Sequence, residues 1–182
     1  MFFKLKSYLS FLLKSTNQHG VHSPFVYDLT TKCFYVKRPK STMTSSKKSA
    51  LLIRLVAYLQ PNTMLEVSSS SEMNLLAPLF GDKKIKITTL DSSILATNSA
   101  QKEIDFVFFN SNKLQETVDS CLDIAHNNTL FVFNNIHTSA EMEKSWSTII
   151  KHPKATVTID TYLLGLVFFR KEQEKEHFII RI

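Results

Sequence analysis

The sequence predicts an α/β fold, a mostly parallel sheet with helices on both faces and an antiparallel end. Three observations carry that prediction. Across residues 51–150, short apolar runs alternate with stretches whose apolar residues recur every three or four positions, the signature of strands and helices in turn. The runs at 104–109 and 129–133 are densely apolar, with Asp105 and Thr129 the polar positions, as strands covered on both faces require. From residue 155 onward three strand patterns follow one another without a helix, so the sheet should close with antiparallel pairing.

Composition narrows the field. The chain has 182 residues, 43% hydrophobic and 21% charged, enough for one domain with a continuous core. Only Gly20, Gly81 and Gly165 are glycines, which excludes a P-loop or a G-x-G-x-x-G fingerprint, since each needs several glycines close together. The formal charge of +6 is scattered along the chain, a solvated surface more than a nucleic-acid face. Cys33 and Cys121 sit on apolar helix stripes with no second cysteine at metal-ligand spacing, and read as reduced, buried thiols of a cytoplasmic protein. No apolar run approaches the length of a membrane span. Lysines interrupt the first apolar run and no alanine precedes Ala50, which argues against a cleavable signal.

The elements follow in order. Residues 2–14 form an amphipathic helix with Phe2, Leu5, Leu9, Leu12 and Leu13 on one side, expected to pack on the domain or on a second copy of the chain in preference to lying on a membrane surface, the alternative that stays open. After a turn, Ser23 suits an N-cap and Pro24 the first helical position, where its missing N–H costs nothing. Phe25, Leu29 and Cys33 then repeat at helical spacing. His19 and His22 lack a nearby carboxylate, so no metal site is assigned. Residues 36–46 are basic and hydroxyl-rich, a linker that divides a helical extension (1–46) from the sheet domain (47–182). Ser46 caps a helix carrying Leu51, Leu52, Leu55, Val56 and Leu59 on one face, and Pro61 ends it.

The first strand, 63–67, contains Glu66 and runs into an all-serine turn, Ser68 to Ser71. Such a turn, at the carboxyl end of a strand, is where open α/β sheets bind nucleotide-like ligands. A helix with Leu75, Leu76, Leu79 and Phe80 follows, shortened by Pro78 and ending at Gly81. The second strand, 85–90, closes on Asp91. Residues 92–102 are too few for a helix, a strand and a second helix. The next buried strand ends at Asn110, and Leu114, Val118, Cys121, Leu122 and Ala125 mark a helix face. The strand at 129–133 ends in Asn134-Asn135-Ile136-His137. Thr138 and Glu141 form a T-x-x-E capping box before Met142, Trp146, Ile149 and Ile150. Residues 155–162 alternate threonine with apolar residues, a strand with one polar face. Strands at 164–170 and 177–182 complete the chain.

Three stretches together carry a family resemblance: His19-Gly20-Val21-His22-Ser23-Pro24-Phe25-Val26-Tyr27-Asp28-Leu29, Phe131-Val132-Phe133-Asn134-Asn135-Ile136-His137, and residues 157–170 continued through Lys175-Glu176-His177-Phe178. They resemble class I S-adenosylmethionine-dependent methyltransferases of a Bacteroidetes-type group, similar to O-methyltransferases. The resemblance covers most of the chain and implies a Rossmann-like methyltransferase sheet. It implies that Glu66, Ser68, Ser69, Ser70 and Asp91 face S-adenosylmethionine. Asn110, Asn134, Asn135 and His137 then stand at the substrate position, where related enzymes hold a divalent metal with carboxylates.

The departures from the family pattern share a direction. Serines replace a glycine-containing turn, and their Cβ atoms obstruct close backbone approach. Amides replace carboxylates, and asparagine carbonyls alone hold a hard cation poorly, so no metal is expected. The third-strand region, which commonly contacts adenine, is shortened. The chain is therefore read as a shortened, degenerate methyltransferase, a pseudoenzyme with weakened or lost cofactor binding. Two alternatives stay open: an active, metal-free methyltransferase acting on a small molecule, and a basic module that binds nucleic acid or another anionic surface through Phe34, Tyr35, Lys37, Arg38 and Lys40. Self-association through the first helix is a further expectation.

Overall fold

A computed structural model describes residues 2–36, 46–68, 75–80, 85–91, 103–111, 118–119 and 121–182. The described helices are α1 (Phe2–Lys14), α2 (Pro24–Leu29), α3 (Lys47–Leu59), α4 (Leu76–Phe80) and α5 (Ala140–Lys151). The strands are β1 (Thr63–Ser68), β2 (Lys86–Asp91), β3 (Phe106–Asn110), β4 (Leu130–Asn134), β5 (Val157–Asp160), β6 (Leu164–Phe168) and β7 (Glu176–Ile179). They form one seven-stranded sheet in the order β2-β1-β3-β4-β6-β5-β7. The first four are parallel, and only β6 runs against its neighbours. The expected mostly parallel sheet with an antiparallel end is what the chain builds, with β7 added in parallel beside β5.

β3 and β4 are buried on both faces, because their residues are apolar up to the asparagine that ends each strand. Phe106 and Phe108 of β3 point to one side with Met64, Leu130 and Val132, where Val26, Leu29, Leu51, Leu52, Leu55 and Phe80 cover them. Val107 and Phe109 point to the other, into Phe131, Phe133, Met142, Trp146 and Ile149. Helices therefore cover both faces, α2 to α4 on one and α5 on the other. The phenylalanines of that second layer interlock, with Phe109 stacked on Phe133 at 4.6 Å and Phe131 edge-on to Phe169 at 4.7 Å. Gly165 in β6 leaves room for Trp146, since a Cβ there would stand 2.8 Å from the indole ring.

Local signals held in part. Ser46 caps α3 through the Ser49 N–H, and Gln60 ends that helix in the left-handed region at φ 50°. Ser23 occupies the N-cap of α2, but its hydroxyl turns to Gln173, and the helix continues as a wider π turn over Thr30–Phe34. The capping box at Thr138 is corrected: Ser139 caps α5 by accepting from the Met142 N–H at 3.2 Å, while Thr138 donates to the Asn135 carbonyl. The polar face expected on β5 is not solvated, because Thr158 and Asp160 are both buried. Residues 114–117 and 120 of the expected helix at 114–125, and the linker at 37–45, lie outside the described residues; the described end of that helix is a 3-10 turn over Leu122–Ile124.

The largest correction concerns α1. Its buried residues are Ser7 and Phe11, and the leucine stripe faces outward. Docking is decided by polar and aromatic contacts at the carboxyl edge of the sheet, which the apolar periodicity does not register.

Candidate functional site

Parallel pairing brings the carboxyl ends of β1, β2, β3 and β4 to one edge. Ser68 lies level with Asp91 on one side and Asn110 on the other. Asn134 ends β4 beside Asn110. The backbone thus gathers the positions singled out in the sequence, apart from Ser69 and Ser70, which lie outside the described residues.

Glu66 is fully buried within β1 and is committed to the fold. Its two carboxylate oxygens accept from the backbone N–H groups of Leu75 (2.6 Å) and Leu76 (2.9 Å), at the start of α4. Burial raises its pKa, and the two N–H donors oppose that rise. The strand and the short helix are tied across the serine turn by this one side chain.

At the next two strand ends, Asn134 Nδ2 donates to Asn110 Oδ1 at 2.6 Å, in a buried contact. Asn134 Oδ1, also buried, finds no hydrogen-bond partner among the described residues. Asn135 follows in the left-handed region, φ 58°, which asparagine tolerates better than most residues. Its Oδ1 accepts from Lys48 Nζ at 2.7 Å, and burial lowers the Lys48 pKa. Among the described residues no three His, Cys, Asp or Glu side chains are placed to hold a metal. A pair of neutral amides with a cationic neighbour does not fit a divalent ion.

His137 leaves this group and organises a second one. Its Nε2 lies 2.8 Å from Asp160 Oδ2, and its Nδ1 lies 2.8 Å from Glu143 Oε1. An imidazolium donating to both carboxylates fits these distances, and the Ser7 hydroxyl lies 3.1 Å from the same Nδ1. Burial works against that charge, and the two carboxylates outweigh it, so the His137 pKa is raised. The Ser7 hydroxyl of α1 donates to the same Glu143 oxygen. Tyr162 stacks on the imidazole with 5.0 Å between centroids, from a left-handed turn (φ 65°) whose N–H donates to Asp160 Oδ1. As an imidazolium held between two carboxylates, His137 would have no lone pair with which to take a proton from an acceptor.

Beside this cluster a cavity of about 370 Å³ opens between α1, α5 and β7, lined by Ser7, Phe11, His137, Glu143, Trp146 and His177. Burial lowers the His177 pKa, and its Nδ1 lies 2.8 Å from the Thr158 hydroxyl. Sequence reading missed Ser7, Glu143, Asp160 and Tyr162. Ser7 is 130 positions from His137, and no motif spacing links them. The nucleic-acid alternative loses Phe34, which is in the core at 2% exposure, and the Tyr35 hydroxyl donates to the Arg181 carbonyl. Lys37, Arg38 and Lys40 lie outside the described residues.

No protein-family model matches the chain, and no curated protein matches it in sequence. Solved structures do. An SAH-bound methyltransferase from Podospora anserina superimposes with a TM-score of 0.51 at 13% identity, over 74% of this chain and 83% of that one. A Klebsiella pneumoniae protein taken to be an O-methyltransferase gives 0.50 at 12% identity, over 83% and 92%. The fold is therefore that of the class I methyltransferases, as the resemblance in the sequence implied.

Proposed function

We propose that this chain is a methyltransferase-type protein whose S-adenosylmethionine site is degenerate, with cofactor binding and catalysis weakened or lost. The observation behind this reading is the 2.6 Å amide contact between Asn134 and Asn110, at strand ends where the resemblance expects metal-holding carboxylates. Support comes from the Glu66 carboxylate, which is occupied by the N–H groups at the start of α4, and from the sequence, which has serines at 68–71 where the resemblance expects a glycine-containing turn. A bound S-adenosylmethionine would supply an electrophilic methyl group, and the chain would meet it with Ser68, Ser69, Ser70 and Asp91. Titration calorimetry of the full chain with S-adenosylmethionine and S-adenosylhomocysteine tests this. The expected result is no binding in the micromolar range. Micromolar binding that Asp91→Ala removes would overturn the reading.

A second reading keeps a small-molecule methyltransferase without a metal, favoured by the cavity of about 370 Å³ beside His137. An acceptor hydroxyl there would need its own low pKa or another base wherever His137 is protonated between Asp160 and Glu143.

A further inference from the structure

The outward face of α1 is the least expected surface on the molecule. Helical periodicity places Phe2, Leu5, Leu9, Leu12 and Leu13 within an arc of roughly 100°. Phe2 is 90% exposed, Leu13 89%, Leu5 57% and Leu9 52%. The opposite side is fixed to the domain. Ser7 donates to Glu143, Tyr162 Oη donates to the Lys4 carbonyl at 3.1 Å, and Phe11 packs on Tyr162 at 5.3 Å. A surface helix normally turns its apolar stripe inward, so a docked helix that presents the stripe to solvent is built to meet something else.

The charges on α1 indicate what. Lys4, Lys6 and Lys14 are all exposed, with Lys6 bordering the stripe and Lys4 and Lys14 nearer the docked side, the helix has no acidic residue, and the whole chain carries +6. Five side chains fall far short of the roughly 20–30 residues a side of a stable dimer. An anionic bilayer surface takes both features at once, leucine and phenylalanine entering the acyl boundary while lysines reach the headgroups. We propose that α1 is a membrane-surface helix that docks the folded domain on anionic lipid, lying in the interface without crossing it.

Co-sedimentation of the full chain with vesicles tests the proposal, comparing pure phosphatidylcholine with an equimolar phosphatidylcholine and phosphatidylglycerol mixture. The expected result is retention on the anionic vesicles alone, weakened by salt. Leu9→Ser with Leu13→Ser should reduce retention at least tenfold with the melting temperature unchanged. If the pair lowers the melting temperature, Leu13→Ser alone serves, since Leu13 touches little of the protein. Three outcomes would each overturn the proposal: no retention on anionic vesicles, retention that these variants leave intact, or a solution dimer that they dissociate.

Discussion

Glu66 shows how one side chain is shared between fold and chemistry. A buried carboxylate needs donors, and the two N–H groups at the start of α4 supply them. Glu66→Gln retains one acceptor and turns an amide NH₂ toward the other N–H. It should destabilise the protein by about 1–3 kcal/mol in urea unfolding. Gly165 is a second residue where the outcome is set by contact. Gly165→Ala drives a Cβ to 2.8 Å from Trp146 and should cost about 1–3 kcal/mol, because the sheet backbone cannot retreat. Trp146→Phe removes the ring atoms it meets, so the double variant should recover part of that loss in a double-mutant cycle.

At the scale of elements, the link between α1, α5 and β5 is an ionic cluster whose strength depends on pH. His137 has a folded pKa above its usual 6.5, so its contribution is fully present below pH 6.5 and is lost as pH rises through the folded value. Burial alone would raise the Glu143 pKa, but Ser7 and His137 hold it below 4.5, so its contribution is present above 4.5 and is lost as pH falls. The cluster is strongest between those limits. Melting temperature should therefore decline on the alkaline side of pH 6.5, and His137→Asn should flatten that limb. An unchanged slope in the variant would remove the cluster as its cause. The correction to α1 belongs here too. Apolar spacing found the helix, while hydroxyl, imidazole and carboxylate contacts, and not the leucine stripe, set which face meets the domain.

In the whole molecule, stability rests on a sheet covered on both faces. Phe133 sits between Phe109, Phe131 and Trp146 at centroid distances of 4.6, 6.4 and 5.9 Å. Phe133→Ala should cost about 3–5 kcal/mol, a large part of the roughly 5–15 kcal/mol that holds an ordinary domain folded. Trp146 is the single tryptophan and packs in that layer, so its fluorescence and the far-ultraviolet circular dichroism should report the same shifted transition.

Periodicity alone was enough for the class of fold, the order of strands and helices, and both apolar layers, because each strand and most helices are written in local spacing. It also placed Ser68, Asp91, Asn110 and Asn134 at strand ends, since a parallel sheet aligns its carboxyl ends once the strands are found. Glu66 was legible as an acidic residue in β1, while its role as a tie to α4 needed the positions of the Leu75 and Leu76 N–H groups. The Ser7, His137, Glu143 and Asp160 cluster was decided only by tertiary structure. Its members come from four separate segments, and hydrogen bonding over long sequence separation leaves no period to read. The outward stripe of α1 has the same origin: amphipathic spacing says that a face exists, and only the packed partners decide which face is left to solvent.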